Sequence, residues 1–234
     1  QELQLGPRNF NSFPVNPARF AVKSGKDRWW RAAARSEVGM SDFHQSGVIT
    51  TFHRLGAKYD LGAIEETLTE YTKHRPVALV LPCLAREMDR PALKKIVSHL
   101  REAPYVRQIV VGLDRADAQD FARARKFFAV LPQEVRILWR DGPRIKKLQE
   151  LMVEQEISVG RPGKGINMWM SSGLVLAEDS CKIIALHDCD IASYDRELLA
   201  RLVFPLASPN MDYAFCKGYY ARVSDRLHGR VTRL

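Results

Sequence analysis

Short unbroken apolar runs alternate along this chain with stretches whose apolar residues recur at helical spacing, and that alternation restricts the fold more than any other feature. Val77-Ala-Leu-Val-Leu81 is a continuous apolar run of strand length, and Ala92, Leu93, Ile96, Val97 and Leu100 then repeat at helical spacing. Gln108 to Leu113 predicts a second strand, Phe121, Ala124 and Phe128 mark a helix, and Val135 to Trp139 predicts a third strand. Lys146 to Glu156 is amphipathic. Ile166, Trp169, Met170, Gly173, Leu174 and Ala177 follow at helical positions, and Ile183 to Leu186 is a last buried strand. Strands apolar on both faces need cover on both sides, so the expected class is α/β: a mostly parallel sheet covered by helices.

Before the first strand, a short helix is expected from Asp60 to Tyr71, with Leu61, Ile64 and Leu68 on one face. Residues 1–39 show neither period and read as a non-globular extension or upstream read-through, Met40-Ser41-Asp42 resembling a start. The expected organisation is therefore this extension, a helical segment over 40–75 and a catalytic domain over 76–234. The apolar run from Val77 to Ala85 falls well short of the roughly 20 residues of a membrane helix, and no secretory signal is legible. A cytoplasmic protein with no membrane partner is expected. Cys83, Cys181, Cys189 and Cys216 form no C-x-x-C pair and read as free thiols.

The net charge of +9 raises the question of nucleic acid, but residues 1–39 alone carry +4 of it and the remainder is dispersed. No basic stripe with interleaved aromatics appears, which argues against a nucleic-acid partner. His44, His53, His74, His99 and His228 have no ligand spacing and read as structural.

In an open α/β sheet the ligand lies outside the carboxyl ends of the strands. Those ends here are Pro82-Cys83-Leu84, Asp114-Arg115-Ala116-Asp117, Arg140-Asp141-Gly142 and His187-Asp188-Cys189-Asp190. Asp188 and Asp190, two apart in an extended chain, place both carboxylates on one face, where they can grip one Mg²⁺ or Mn²⁺ shared with a diphosphate. The same acids could instead solvate a turn or cap a helix near Asp195. Gly163-Lys164-Gly165 precedes a helix, where backbone N–H groups and the lysine charge suit a phosphate; an exposed flexible loop is the alternative. It is not a Walker loop, since Gly165 stands where Ser or Thr is needed. Asp114 can accept a base N–H or ribose hydroxyl, or cap the helix that holds Phe121.

Taken in order, Val80-Leu-Pro-Cys-Leu84, Ile109-Val-Val-Gly-Leu-Asp114, Pro162-Gly-Lys-Gly-x-x-x-Trp169, Asp188-x-Asp190 and Gly229-Arg-Val-Thr232 resemble glucosyl-3-phosphoglycerate and mannosyl-3-phosphoglycerate synthases. The resemblance runs from about Val77 to Leu234. It implies the Rossmann-like GT-A fold and transfer of a hexose from UDP-glucose or GDP-mannose to 3-phosphoglycerate or glycerate, with retention and without a protein nucleophile. By the same resemblance Pro82, Cys83 and Leu84 line the nucleotide pocket, Asp114 contacts the nucleoside and Lys164 the diphosphate. Asp190 chiefly holds the Mg²⁺ or Mn²⁺, with Asp188 and Cys189 on the donor. Gly229, Arg230 and Thr232 hold the small anionic acceptor, and the protein is expected to be a homo-oligomer, a dimer.

The chain also departs from the family's pattern. Ala85-Arg86-Glu87 replaces Asn-Glu-Glu, Asp114-Arg-Ala-Asp117 replaces Asp-Ser-Gly-Ser, and Leu234 comes before the family's downstream metal-ligating His and acceptor-side loop, as in a C-terminally truncated chain. Two other readings stay open. One is a nucleotidyltransferase making nucleotide sugars, although Pro82-Cys83-Leu84-Ala85 lacks its Gly-rich loop; the other is a non-catalytic nucleotide-sugar-binding protein.

Overall fold

The computed structural model describes residues 60–160, 162–211, 213–218, 222–223 and 227–228. The extension over 1–39, the start at Met40, His44 and His53, and the acceptor residues Gly229, Arg230 and Thr232 lie outside them.

Asp60 opens the first helix, α1 (Leu61–His74), by accepting the Ala63 N–H at 3.1 Å. The strands β1 (Val77–Leu84), β2 (Val106–Asp114), β3 (Glu134–Trp139) and β4 (Ile183–Leu186) fall where the apolar runs predict them, with β1 continuing through Pro82. All pair in parallel, in the order β3-β2-β1-β4. The connections are α2 (Pro91–Leu100), α3 (Ala118–Phe128), and the pair α4 (Pro143–Glu154) and α5 (Lys164–Glu178), so each crossover between parallel strands carries a helix. After β4 comes α6 (Arg196–Ala207), whose Asp195 cap accepts the Leu198 N–H at 3.0 Å, followed by the short antiparallel pair β5 (Arg222–Val223) and β6 (Leu227–His228).

Alternate residues of the strands enter opposite layers. Leu79, Leu81, Ile109, Val111 and Leu113 join Leu68, Leu93, Phe128 and Leu199 in a core shared with α1, α2, α3 and α6. Ala78, Val80 and Val110 face Val175 of α5. Burial on both faces explains why β1, β4 and the middle of β2 are continuously apolar, whereas β3, with Glu134 and Arg136, is only partly covered. The expected helix-covered parallel α/β sheet is what the chain forms. A 3₁₀ helix, η1 (Ala85–Asp89), was not anticipated, because five residues are too few for an apolar period to show.

Gly112 sets how closely α5 approaches the sheet. Asn167 Nδ2 donates to the Gly112 carbonyl at 2.7 Å, and a Cβ at this position would stand 1.8 Å from Asn167 Oδ1 and 2.6 Å from Ser171 Oγ. Gly112→Ala is therefore expected to lower stability by about 1–3 kcal/mol, seen as a lower urea midpoint at unchanged slope. An unchanged midpoint would mean that α5 can slide away without loss.

Candidate functional site

The chain steps outward from β1 to β2 to β3 and then returns to lay β4 on the far side of β1, which puts the topological switch point between the carboxyl ends of β1 and β4. Pro82 helps open that crevice. Val80 accepts the His187 N–H at 3.2 Å, and Val80↔Leu186 is the last pair of the β1–β4 ladder. Pro82 points to the same side of β1 as Val80 but has no N–H to donate, so the chain after His187 is released from the sheet.

Burial nevertheless keeps alternating from Ile183 to Asp190, beyond the end of β4. His187 and Cys189 turn into the large core, whereas Asp188 continues the side of Ile184 and Leu186, toward α5. Asp190 is exposed, two residues further on. Lys164, the first residue of α5, follows Gly160 at φ 71° and Gly163 at φ 158°, a backbone that favours glycine. Its Nζ donates to Asp188 Oδ1. Their side chains are 54% and 44% exposed, so the pair adds little to stability, and both groups are open to an incoming ligand. Asp190 has no hydrogen-bond or ion-pair partner among the described residues.

The other two acidic strand ends are tied together. Asp114 Oδ1 accepts from the Arg115 N–H at 2.8 Å and from Arg140 Nε at 2.7 Å, with Arg140 Nη2 at 2.6 Å. Asp141 Oδ2 accepts the Ala116 N–H at 3.1 Å, and Trp139 Nε1 donates to the Ala116 carbonyl at 2.8 Å. Arg115 is held at φ 52°, a strained conformation for a residue with a Cβ, and such strain gathers at sites where loop geometry matters. All of these bonds to Asp114 fall on Oδ1.

Pro82 and Leu84 are half-buried at the crevice, but Cys83 and Cys189 are 1% and 4% exposed and point their sulfurs inward. A contact from either cysteine to a nucleotide therefore falls to its backbone. The neighbouring Cys83 thiol and burial push the Cys189 thiol well up, which makes it a poor nucleophile and a poor metal ligand. His187 is 3% exposed, and its ring packs edge-on to Tyr194 at 5.3 Å. Burial lowers its pKa to about 4 against the opposing pull of Asp188, so at neutral pH it is uncharged.

The donor set that remains at the switch point is two carboxylates, Asp188 and Asp190. Among the described residues no group of three His, Cys, Asp or Glu could hold a metal ion. Two hard oxygen ligands fit Mg²⁺ or Mn²⁺ that takes its other ligands from water and phosphate. Two cavities of about 490 and 470 Å³ lie elsewhere, by Arg101, Arg107 and Glu134 and by Phe121, Arg125 and Val135. Neither is lined by an acid from the carboxyl end of a strand.

Sequence reasoning gave roles to Asp114 and Lys164, placed Arg140 at a strand end without a role, and missed Asn167. Arg140 had a signal: Leu113 and Trp139 are register partners, so Asp114 and Arg140 each follow the last pair of the β2–β3 ladder. Among the described residues no helix is long and apolar enough to cross a membrane.

A parallel sheet covered by helices, with charged loops gathered at its switch point, defines a Rossmann-like α/β protein. The chain is a homologue of glucosyl-3-phosphoglycerate synthases, as its motifs led us to expect. It is 43% identical over 195 residues to the glucosyl-3-phosphoglycerate synthase of Persephonella marina, a match covering 83% of this chain and 48% of the relative. It is 34% identical over 197 residues to the enzyme of that name from Methanococcoides burtonii, covering 82% of this chain and 48% of the relative. The chain thus spans about half the length of the curated relatives it matches. No family model matches it.

Proposed function

We propose that this chain supplies the nucleotide-sugar site of a glycosyltransferase that moves a hexose from a nucleotide sugar to 3-phosphoglycerate or glycerate with retention. The observation that carries the reading is the meeting of Lys164 and Asp188 at the switch point, with the exposed Asp190 two residues further along the chain. A cation and an anion facing solvent at a helix N-terminus suit a metal-bound diphosphate. The names of both relatives support a phosphoglycerate acceptor, and favour glucose over mannose as the sugar.

In this reading Pro82 and Leu84 flank the nucleoside, with Cys83 and Cys189 contributing backbone. Asp114, its Oδ1 engaged, offers Oδ2 to a ribose hydroxyl or base N–H. Lys164 and the N–H groups that open α5 neutralise the diphosphate. Asp190, with the second oxygen of Asp188, would hold Mg²⁺ or Mn²⁺, which when bound stabilises negative charge on the departing nucleoside diphosphate. Gly229, Arg230 and Thr232 keep their proposed role at the acceptor, where a guanidinium and a hydroxyl suit a small dianion.

One panel tests the proposal: the full-length protein with Mg²⁺ or Mn²⁺, UDP- or GDP-sugars, and glycerate or 3-phosphoglycerate. Acceptor-dependent release of nucleoside diphosphate is expected. Pyrophosphate release from a nucleoside triphosphate and a sugar phosphate would instead identify a nucleotidyltransferase. Lys164→Ala is expected to weaken UDP binding by about tenfold, the scale of one charge-assisted bond, and to spare uridine. Equal losses for the two ligands would make Lys164 a structural residue.

A further inference from the structure

Arg123, on α3, has no place in any motif of the chain, yet its guanidinium makes four hydrogen bonds. Nη1 donates to both carboxylate oxygens of Asp89 at 3.0 and 3.1 Å, while Nη2 donates to the Ala85 carbonyl and to Asp120 Oδ1, each at 3.1 Å. Ala85 and Asp89 are the first and last residues of η1, the turn that leaves β1 at the switch point. Asp120 in turn closes the capping box of α3: Asp117 Oδ1 accepts its N–H at 2.8 Å, and its Oδ2 accepts the Asp117 N–H at 3.4 Å. One side chain therefore spans both ends of η1 and links it to the loop after β2.

Apart from Arg123, η1 is held by the packing of Ala85 and Met88 in the core and has few polar ties. It has no side-chain cap at its start, and its inward anchors are Ala85, Met88 and Glu87, the last with Oε2 lacking a hydrogen-bond partner. Arg86 and Arg90 reach Glu87 only at 3.4 and 3.6 Å. A single exposed ion pair would count for little, but a forked guanidinium shared between two carboxylates and a backbone carbonyl defines orientation as well as distance.

We infer that Arg123 is a positioning residue for the nucleoside end of the donor, holding η1 and the adjoining Leu84 in the arrangement that receives the base and ribose. This rests on the donor-site reading above. Arg123 faces η1 and not the Lys164–Asp188 pair, so it governs the nucleoside side and leaves the diphosphate side alone.

That separation gives the test. Calorimetry on the full-length protein with UDP and uridine, and with GDP and guanosine, is compared for wild type, Arg123→Ala, Arg123→Lys and Asp89→Asn. If η1 without its clamp holds the competent arrangement about one time in five, affinity for nucleoside and nucleoside diphosphate falls equally, by about fivefold. Lys, a point charge without the fork, recovers only part of the loss. Asp89→Asn, at a side chain 68% exposed, should show a similar loss, and combining it with Arg123→Ala should add little, as for partners in one interaction. Unchanged affinities in Arg123→Ala and Asp89→Asn overturn the inference while the donor reading stands, as does a loss confined to the diphosphates. Failure of the wild type to bind either pair removes the donor reading and this inference together.

Discussion

Replacing Arg140 with Ala is expected to lower stability by about 3–5 kcal/mol, the scale on which removing one member of a buried ion pair acts. The side chains of Arg140 and Asp114 are 13% and 6% exposed, so the carboxylate left behind is largely shielded from water and has no other ion-pair partner among the described residues. Two contacts to Asp114 fall with it, Nε and Nη2 both reaching Oδ1, which leaves only the Arg115 N–H as a partner, and a longer one from Nη2 to Asp141 is lost as well. The pair itself adds far less than this figure, because desolvating both charges offsets most of their attraction. Arg140→Met combined with Asp114→Leu should therefore recover most of the loss, and equilibrium urea unfolding of the single and double variants measures both quantities. A loss under about 1 kcal/mol in Arg140→Ala would show the pair to be hydrated like a surface bridge.

The same pair shows what was legible in the sequence and what was not. Strands β1 and β4, and β2 from Ile109 to Leu113, announce themselves because helices cover both faces and leave an unbroken apolar run. Helix α4 was also visible as an amphipathic stretch, although it buries no residue fully, leaning through Ile145 on Leu138 and α5 and through Gln149 on Met170. α6 was anticipated only through its Asp195 cap, Pro205 lying inside it against the usual helical signal.

At the site, acidic residues at strand ends could be read because the fold class says where strand ends go. Which of them meet could not. Lys164 and Asp188 are 24 positions apart and meet because β4 lies beside β1 and not beside β3. Gly112 stood inside a motif without an evident reason; Asn167, an unremarked position of another motif, supplies it. The inward turn of Cys83 and Cys189 follows from which strand parity faces the larger core, and a list of apolar residues does not contain that information.

Asp190→Asn is expected to abolish the dependence of donor binding on divalent cation, with wild-type affinity in Mg²⁺ or Mn²⁺ reduced at least about tenfold, the lower range seen when even the supporting groups of a metal site are removed. Three considerations lead to this. The amide is nearly the shape of the carboxylate but carries no charge, and a hard cation holding only two protein carboxylates loses half of its anionic protein ligands. Asp190 is exposed and has no partner among the described residues, so the substitution leaves the fold intact and the thermal midpoint should not move. Asp188 lacks that simplicity, since Asp188→Asn also frees the Lys164 ammonium and so should alter diphosphate affinity even in EDTA. Calorimetric titration of UDP-glucose and of GDP-mannose, with metal and with EDTA, separates the two positions. In Asp190→Asn the two conditions should converge on the affinity that wild type shows in EDTA, whereas in Asp188→Asn the EDTA value itself should shift. Metal-dependent binding that persists undiminished in Asp190→Asn would remove the carboxylate from the site and leave the exposed turn after β4 as its sole role.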